Sequence, residues 1–202
     1  MKKIVVTGSS GQLGSELDFL ATNFASQYPF EFIFTNSTTL DITEPNTLEN
    51  FFKLHKPDYC INAAAYTAVD KAEKDKLLAY EVNVFGVARL AKTCQKHNCK
   101  LIHISTDFVF GDKQNTPYTE NCPTEALGVY GASKVLGEKE VFNHNPKSII
   151  IRTAWLYSSF GNNFVKTMLR VAKKNTQLSV VYDQIGTPTY AYDLAQSLLK
   201  II

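Results

Sequence analysis

The chain has 202 residues, 45% of them hydrophobic and 20% charged, and a formal net charge of +2. This composition is typical of a globular domain with one well-filled core. Charges of both signs are mixed along the chain, so no nucleic-acid partner and no membrane-binding patch is expected. No apolar run reaches the ~18 residues that a membrane-spanning helix needs. The first residues enter a strand pattern directly, so no signal peptide is predicted and a cytoplasmic location is expected.

The four cysteines, Cys60, Cys94, Cys99 and Cys122, form no CxxC pair. We therefore expect free and mostly buried thiols in a reducing compartment. His97 precedes Cys99 closely, but no second pair of ligands accompanies it, and no metal site is predicted.

The first stretch of the chain carries the strongest signal. The β-branched run at 4–6 predicts a buried parallel strand. Gly8, Gly11 and Gly14 follow with GxxGxxG spacing, which differs from the commoner GxGxxG, and leucines spaced along one face predict a helix over 12–20. Small residues let a pyrophosphate approach the backbone, and the start of a helix offers free N–H groups and the positive end of its dipole. The stretch therefore predicts a nucleotide-binding α/β unit.

Strand and helix patterns alternate through the rest of the chain, which predicts a doubly wound, Rossmann-type parallel sheet with helices on both faces. Further strands are predicted at 31–34, 58–61, 100–105, 148–152 and 178–181. Further helices are predicted at 43–55 (with Thr43 as the capping residue), 75–96, 129–143, 163–174 and 192–202, and a loop at 66–71. Ligands of such sheets bind beyond the carboxyl ends of the strands, so residues that directly follow strands are the candidate site.

Tyr130 and Lys134 form a YxxxK pair on a predicted helix, where residues four apart share a face. A tyrosine phenol has a reference pKa near 10, and a nearby ammonium is expected to lower that pKa. The pair can then exchange a proton with a carbonyl or an alcohol. Ser105 and Thr106 end the fourth strand and can hydrogen-bond the same substrate oxygen. Each feature alone also fits a structural role, namely a solvated helix face or a strand-end cap, but the glycine turn, hydroxyls and YxxxK pair all map to one edge of the sheet.

These motifs resemble a known family. TGSSGQLG, NAAA after the third strand, and YGASK together resemble the extended short-chain dehydrogenase/reductase superfamily. More narrowly, GQLGSEL, NAAAYTAVDKAE, STDFVFGD, VYGASKVLGEK, IIRTAWLYSSFGNNFVKTML and VVYDQIGTPTY are together similar to the dTDP-4-dehydrorhamnose reductase family. The resemblance covers nearly the whole chain. It implies an oxidoreductase that reduces the C4 ketone of dTDP-4-dehydro-L-rhamnose to dTDP-L-rhamnose for surface polysaccharide, with a dTDP-sugar as substrate.

The resemblance also implies a cofactor site. Its residues are the turn glycines Gly8 and Gly14; Gly11, Gln12 and Leu13 at the pyrophosphate; Asp41 and Ile42 at the adenine; and Ala64, Ala65, Tyr66 and Thr67 along the ribose and nicotinamide. The cofactor preference depends on the end of the second strand, where an acid binds the ribose 2′-OH and an arginine favours a 2′-phosphate. Asn36 stands there and is neither. A neutral residue accepts the phosphate without repulsion, so NADPH is favoured, with NADH usable.

For catalysis, the resemblance implies that Tyr130 donates the proton, that Lys134 lowers its pKa and holds the nicotinamide ribose, and that Thr106 binds the substrate carbonyl. The same resemblance assigns substrate contacts to Asp107, Trp155 and Asn163. Two of these keep structural alternatives, a core aromatic for Trp155 and a helix cap for Asn163.

The expected domain division places an NAD(P)-binding domain at 1–152 and the start of a substrate-binding region at 153–202. Family members continue beyond this length, so much of the smaller domain is expected to be missing. Glu16 matches a position that in some members helps to bind magnesium at a dimer interface. A single carboxylate supports no metal site here, while a homodimer is compatible with the resemblance.

Two alternatives stay open at this point. One is a non-catalytic, dinucleotide-binding regulatory subunit like that of methionine adenosyltransferase. The other is a reductase of another nucleotide sugar. An intact Thr106, Tyr130 and Lys134 set favours an enzyme over the regulatory subunit, and fold analogy does not separate the sugars.

Overall fold

The computed structural model describes residues 1–114 and 116–202. Its centre is a five-stranded, all-parallel sheet with strand order β2-β1-β3-β4-β5. These strands are β1 Lys3–Thr7, β2 Glu31–Phe34, β3 Tyr59–Asn62, β4 Lys100–Thr106 and β5 Ile149–Thr153. The predicted doubly wound, Rossmann-type fold class is confirmed.

Helices connect the strands and cover both faces of the sheet. They are α1 Gln12–Asn23, α2 Pro45–His55, α3 Val69–Ala72, α4 Lys76–Tyr80, α5 Val87–Lys96, α6 Val129–His144, α7 Phe164–Ala172 and α8 Ala191–Ile201. A π-helical turn, Glu81–Gly86, joins α4 to α5, and a 3₁₀ turn, Asp107–Val109, follows β4. Within the described ranges no helix is long and apolar enough to span a membrane.

Three local predictions are wrong. The segment 66–71 is not all loop, because α3 begins at Val69. Thr43 does not cap α2: the helix starts after Glu44, and the Thr43 hydroxyl donates instead to Asp41 Oδ1 over 2.7 Å. The segment 178–181 forms no strand: its apolar side chains are exposed, and it belongs to neither of the two sheets of the described residues.

A small second sheet takes the place of the expected sixth strand. Leu156–Tyr157 (β6) pairs in parallel with Thr189–Tyr190 (β7). Tyr157 and Tyr190 stack with ring centroids 5.3 Å apart. The two strands are only two residues long, so no alternating pattern of useful length announces them in the sequence.

The core has two layers because side chains of a strand alternate between faces. Ile4 and Val6 of β1 pack toward α1 and α8, whereas Val5 packs toward α2, α5 and α6. The closing helix α8 thus belongs to the same layer as α1. All four cysteines are free, and Cys60, Cys94 and Cys99 are buried, which confirms the expectation of mostly buried thiols.

The position of the site follows from this topology. β1 pairs with β2 on one side and with β3 on the other, and the helices that follow β1 and β3 leave to opposite faces. A crevice opens where the chain switches face, beyond the carboxyl ends of these strands. The segments that follow β1, β3, β4 and β5 meet at this crevice.

Candidate active site

A cleft of about 1010 Å³ occupies the carboxyl edge of the sheet. It brings together every predicted site residue except Asn163. These are Gly8, Gly11, Gln12, Leu13, Gly14, Asn36, Asp41, Ile42, Ala64, Ala65, Tyr66, Thr67, Thr106, Asp107, Tyr130, Lys134 and Trp155.

The three glycines of the turn have different functions. Gly8 has φ +69°, and a Cβ there would lie 2.6 Å from backbone atoms of Ala63 and Ala64. A Cβ on Gly14 would lie 2.4 Å from Ser9 Cα. Around Gly11, by contrast, the nearest obstacle is Gly8 O at 3.3 Å. Neighbouring backbone therefore excludes a side chain at Gly8 and at Gly14, whereas a Cβ on Gly11 would press on one backbone oxygen only, and Gly11 lines the cleft.

The start of α1 supplies hydrogen-bond donors to the cleft. Gly11 is the N-cap of α1, and glycine has no side chain that could accept a hydrogen bond from the helix. The first backbone N–H groups of α1 are therefore not bonded within the helix. The Gln12 side chain turns away, donating to Leu156 O and accepting from Asn163 Nδ2, and the Leu13 side chain is buried in the core. Gln12 and Leu13 can thus meet a pyrophosphate only through their backbone N–H groups. This combination of an open turn and free donors fits a dinucleotide.

Among the described residues, the part of the cleft lined by Asn36, Asp41 and Ile42 carries no positive charge. Asn36 Oδ1 accepts bonds from the backbone of Thr38 and Thr39, and Asp41 Oδ1 accepts from Thr43. Ile42 is buried, and its side chain lies against Gly86. Among the described residues that line the cleft, Lys134 is the only cation. An anionic group at Asn36 would therefore find no cation among the described residues of this part of the cleft.

Tyr130 and Lys134 lie one turn apart on α6, both buried. Burial raises the pKa of Tyr130, the neighbouring Thr106 hydroxyl lowers it and Asp107 raises it. The expected lowering of the Tyr130 pKa by Lys134 is wrong, because burial is the largest cause of the shift and Lys134 does not contribute to it. Burial lowers the pKa of Lys134 to about 8, and Glu138 opposes that shift. Tyr130 therefore holds its proton at neutral pH and is in the form that can donate it.

The two hydroxyls at the end of β4 are both hydrogen-bonded to carboxylates of the protein. Ser105 Oγ donates to Glu138 Oε1 over 2.5 Å. Thr106 Oγ1 accepts from Phe108 N at 3.2 Å and donates to Asp107 Oδ1 at 3.0 Å. Burial raises the pKa of Asp107, although hydrogen bonds from Thr106 and the backbone lower it. Thr106 must turn its hydroxyl from Asp107 to reach a substrate carbonyl.

The two remaining substrate candidates lie at the rim. Trp155 has φ +47° and is 41% exposed, which disfavours the core-aromatic alternative. Asn163 caps α7: its Oδ1 accepts from Lys166 N at 3.0 Å, and its Nδ2 donates to Gln12 and Ser158. Its amide is therefore fully engaged within the protein, and Gly161 and the neighbouring Asn162 line the cleft instead.

Two buried polar residues near the cleft, Asn83 and His103, escaped the sequence analysis. Asn83, in the π-helical turn, accepts from Tyr66 N and donates to Tyr66 O and Ser133 Oγ, so it fixes the segment after β3 to α6. The available signal was a polar residue on the apolar face of a predicted helix; π-helical turns often mark functional sites. His103 similarly places a polar ring inside a buried strand.

A cleft at the carboxyl edge of a Rossmann-type sheet, lined by a tyrosine and a lysine four residues apart on one helix, is the arrangement of the extended short-chain dehydrogenases/reductases. Comparison with known proteins narrows this class. Residues 1–202 match the family model described as the RmlD substrate binding domain. The chain belongs to this family.

Its relatives include a dTDP-4-dehydrorhamnose reductase from Aggregatibacter actinomycetemcomitans, 44% identical over 201 residues that make up 100% of this chain and 67% of the relative. A solved dTDP-4-dehydrorhamnose reductase from Clostridium acetobutylicum is 43% identical with TM-score 0.93, over 98% of this chain and 69% of that one. Another from Bacillus anthracis, in complex with NADP, is 39% identical with TM-score 0.94, over 100% and 70% of the two chains. The chain thus spans about two thirds of the length of its relatives.

Proposed function

We propose that this protein is an NADPH-dependent reductase of a nucleotide-linked keto sugar, acting on the C4 ketone of dTDP-4-dehydro-L-rhamnose. The observation that carries the proposal is the protonated Tyr130 beside Thr106 and Lys134 in a cleft with an open glycine turn. Membership of a family that includes dTDP-4-dehydrorhamnose reductases supports the substrate. The dTDP-L-rhamnose product would serve surface polysaccharide synthesis, with the protein in the cytoplasm.

The residues of the cleft fit the dinucleotide in its extended form. The N–H groups of Gln12 and Leu13 would hold the pyrophosphate, Asn36 would face the 2′-position, and Ala64 to Thr67 would border the ribose and nicotinamide. NADPH is the favoured cofactor, and NADH is accepted because Asn36 carries no charge. When bound, the dinucleotide supplies the hydride.

The protein's own groups control the proton and the ketone. Tyr130 Oη gives its proton to the oxygen of the C4 carbonyl as negative charge develops there. Thr106 Oγ1 donates a hydrogen bond to the same oxygen after turning from Asp107. Lys134 holds the ribose and, as an ammonium, offsets the charge left on the Tyr130 phenolate. The ketone gains one hydride and one proton and becomes an alcohol.

The sugar and its diphosphate would lie at the rim formed by segments after β4 and β5. Asp107 and Trp155 remain proposed contacts there. Asn163 would act through the start of α7, since its side chain caps that helix. The division into a cofactor-binding domain at 1–152 and a substrate-binding region at 153–202 remains part of this proposal, and so does a homodimer.

The test of the proposal is steady-state kinetics of Tyr130→Phe with NADPH and dTDP-4-dehydro-L-rhamnose. We expect kcat to fall by about 10²–10⁴-fold, as for loss of a general acid, with NADPH affinity retained. Tyr28→Phe, which lies outside the cleft, is the matched control and should keep full activity. Full turnover by Tyr130→Phe would remove the tyrosine from its proposed role.

A further inference from the structure

A row of buried polar side chains crosses the sheet beneath the cleft and ends at Lys134. Thr7 Oγ1 donates to Asn62 Oδ1 over 2.6 Å, and Asn62 Nδ2 lies 2.9 Å from His103 Nδ1. His103 Nε2 lies 3.4 Å from Lys134 Nζ. Thr7, Asn62 and His103 are all 0% exposed. They belong to the adjacent strands β1, β3 and β4, so the row is part of the rigid centre of the fold.

The backbone fixes the protonation state of this row. Asn62 Oδ1 also accepts from the backbone N–H of Ala64 at 3.2 Å. A backbone N–H can only donate, so the amide oxygen must face Ala64 and the amide NH₂ must face His103. His103 Nδ1 is then an acceptor. The imidazolium form is excluded because both of its nitrogens are donors, and burial lowers the pKa of His103 well below its usual range. The neutral ring therefore carries its proton on Nε2.

This tautomer directs a donor at the catalytic lysine. The His103 Nε2–H faces Lys134 Nζ, and an ammonium has donors but no acceptor. When Lys134 is charged, its N–H donors therefore face the N–H donor of His103. When Lys134 is neutral, the lone pair on Nζ can accept the His103 Nε2–H. Both forms can keep the bond from Lys134 Nζ to Ile104 O at 2.7 Å.

We propose that His103 is a positioning residue for Lys134: its fixed Nε2–H keeps the amine form of the lysine accessible, so that a dinucleotide binding with its ribose hydroxyls draws a proton from solution onto Lys134 Nζ. The inference rests on the proposed function in taking a dinucleotide as the ligand. The proton forms one N–H bond on Lys134, and the ammonium then donates to the ribose.

The other charged groups around Lys134 come from its own helix and from the strands beside it. On α6, Tyr130 is neutral, and Glu138 is a carboxylate that raises the pKa of Lys134. Arg152 of β5 pairs with Glu138 over 2.6 Å, which offsets much of that carboxylate's field. Asp107 follows β4 on the side of Tyr130. With burial the dominant effect, the pKa of Lys134 falls to about 8.

Calorimetry of NADPH binding in two buffers of different ionisation enthalpy measures this proton directly. From a pKa of about 8, the expected uptake is about half a proton per NADPH at pH 8 and close to one at pH 9. NADPH suits the test because its nicotinamide is uncharged and its 2′-phosphate, with a second pKa of about 6, is fully ionised at these pH values. Lys134→Met should abolish the uptake, and an unchanged uptake in that variant would overturn the proposal.

His103→Gln tests the histidine itself. The glutamine amide reaches the position of Nε2 and can turn its oxygen toward Lys134, where it accepts a bond from the ammonium. Lys134 is then already protonated before binding, and the uptake at pH 8 should fall to less than half of the wild-type value. An uptake equal to that of the wild type would show that His103 has no part in the lysine's protonation.

The tautomer can be measured without any cofactor or variant. Long-range ¹H–¹⁵N correlation spectra of the wild-type protein at pH 7 should show His103 protonated on Nε2 alone. Protonation on Nδ1, or on both nitrogens, would overturn the proposal even if no variant folds. If His103 is protonated on Nε2 alone but the protein binds no NADPH, the assigned tautomer is supported and the proposed function is contradicted.

Discussion

Tyr130 and Lys134 lie one helical turn apart, yet burial acts on them in opposite senses. It raises the pKa of the phenol and lowers the pKa of the ammonium, because the neutral form of each group is favoured away from water. The sequence correctly predicted that both residues lie on one face of a helix, because a spacing of four residues is enough to place two side chains on the same face. It did not indicate their depth, which depends on the segments that follow β4 and cover them.

Lys134 should make stability depend on pH. Its pKa falls from 10.5 when unfolded to about 8 in the fold. Between these two pH values the unfolded chain binds more protons than the folded chain, so the free energy of unfolding increases as the pH rises. Lys134→Met removes this contribution. We expect the variant to gain stability relative to the wild type at pH 7, and the difference to shrink by on the order of 3 kcal/mol as the pH rises through this window.

Urea denaturation of both proteins from pH 7 to pH 10.5 measures this difference, and titrations common to both proteins cancel. A difference that stays constant across the window would show that Lys134 keeps an ordinary pKa in the fold.

Asn36 should set the weak discrimination between the two cofactors. Asn36→Asp keeps the Oδ1 that holds its turn but places a carboxylate opposite the 2′-phosphate. Like-charge repulsion should weaken NADPH binding about tenfold or more, while a carboxylate suits the free 2′-OH of NADH. Fluorescence titration with each dinucleotide checks this, with NADH as the internal control. Equal losses for both would mean that residue 36 does not face the ribose.

At the scale of elements, the long strands and helices were predictable because their apolar residues repeat with the period of the element. The pairing of β6 with β7 was not, since each strand is two residues long. The opposite error occurs at 178–181: Val180 and Val181 are residue types that favour strands, yet they lie exposed and outside both sheets of the described residues. Likewise Asn83 sits where a helix pattern predicts an ordinary turn, and its contacts to Tyr66 arise only in the folded chain.

The glycine turn gives a matched pair of substitutions. Gly14→Ala places a Cβ 2.4 Å from Ser9 Cα, and the backbone has to shift, so we expect a loss of about 2–3 kcal/mol in the free energy of unfolding. Gly11 has φ −80°, and a Cβ there would press on a single atom, Gly8 O, at 3.3 Å. Gly11→Ala should therefore change stability by less than about 1 kcal/mol but obstruct the pyrophosphate. Denaturation and NADPH titration of both variants separate the roles. Normal NADPH affinity in Gly11→Ala would place the pyrophosphate elsewhere.

At the scale of the whole molecule, the ion pair between the buried Glu138 and the partly exposed Arg152 joins the elements around α6. Glu138 of α6 accepts from both Arg152 of β5 and Ser105 of β4. Arg152 also donates to Glu120 O, and its guanidinium lies 4.9 Å from the Phe110 ring centroid. The pair thus connects the sheet and α6 to the segment that follows β4.

Removing one partner of this pair should be costly. Glu138→Gln leaves Arg152 without its carboxylate; the guanidinium is partly exposed, so we expect a loss of about 2–3 kcal/mol rather than the larger loss of a fully buried pair. The double variant Glu138→Leu with Arg152→Leu should lose less than the sum of its single variants. Additive losses in urea denaturation would show that the two side chains do not interact.

The measurement that tests the central claim most directly is NADPH oxidation by this protein on addition of dTDP-4-dehydro-L-rhamnose, followed at the absorbance of the reduced nicotinamide. A run without the sugar and a run with Tyr130→Phe are its controls. The account predicts sugar-dependent oxidation that yields one dTDP-L-rhamnose per NADPH and nearly disappears in the variant. NADPH that binds in the cleft but is not oxidised in the presence of the sugar would contradict the proposed reductase.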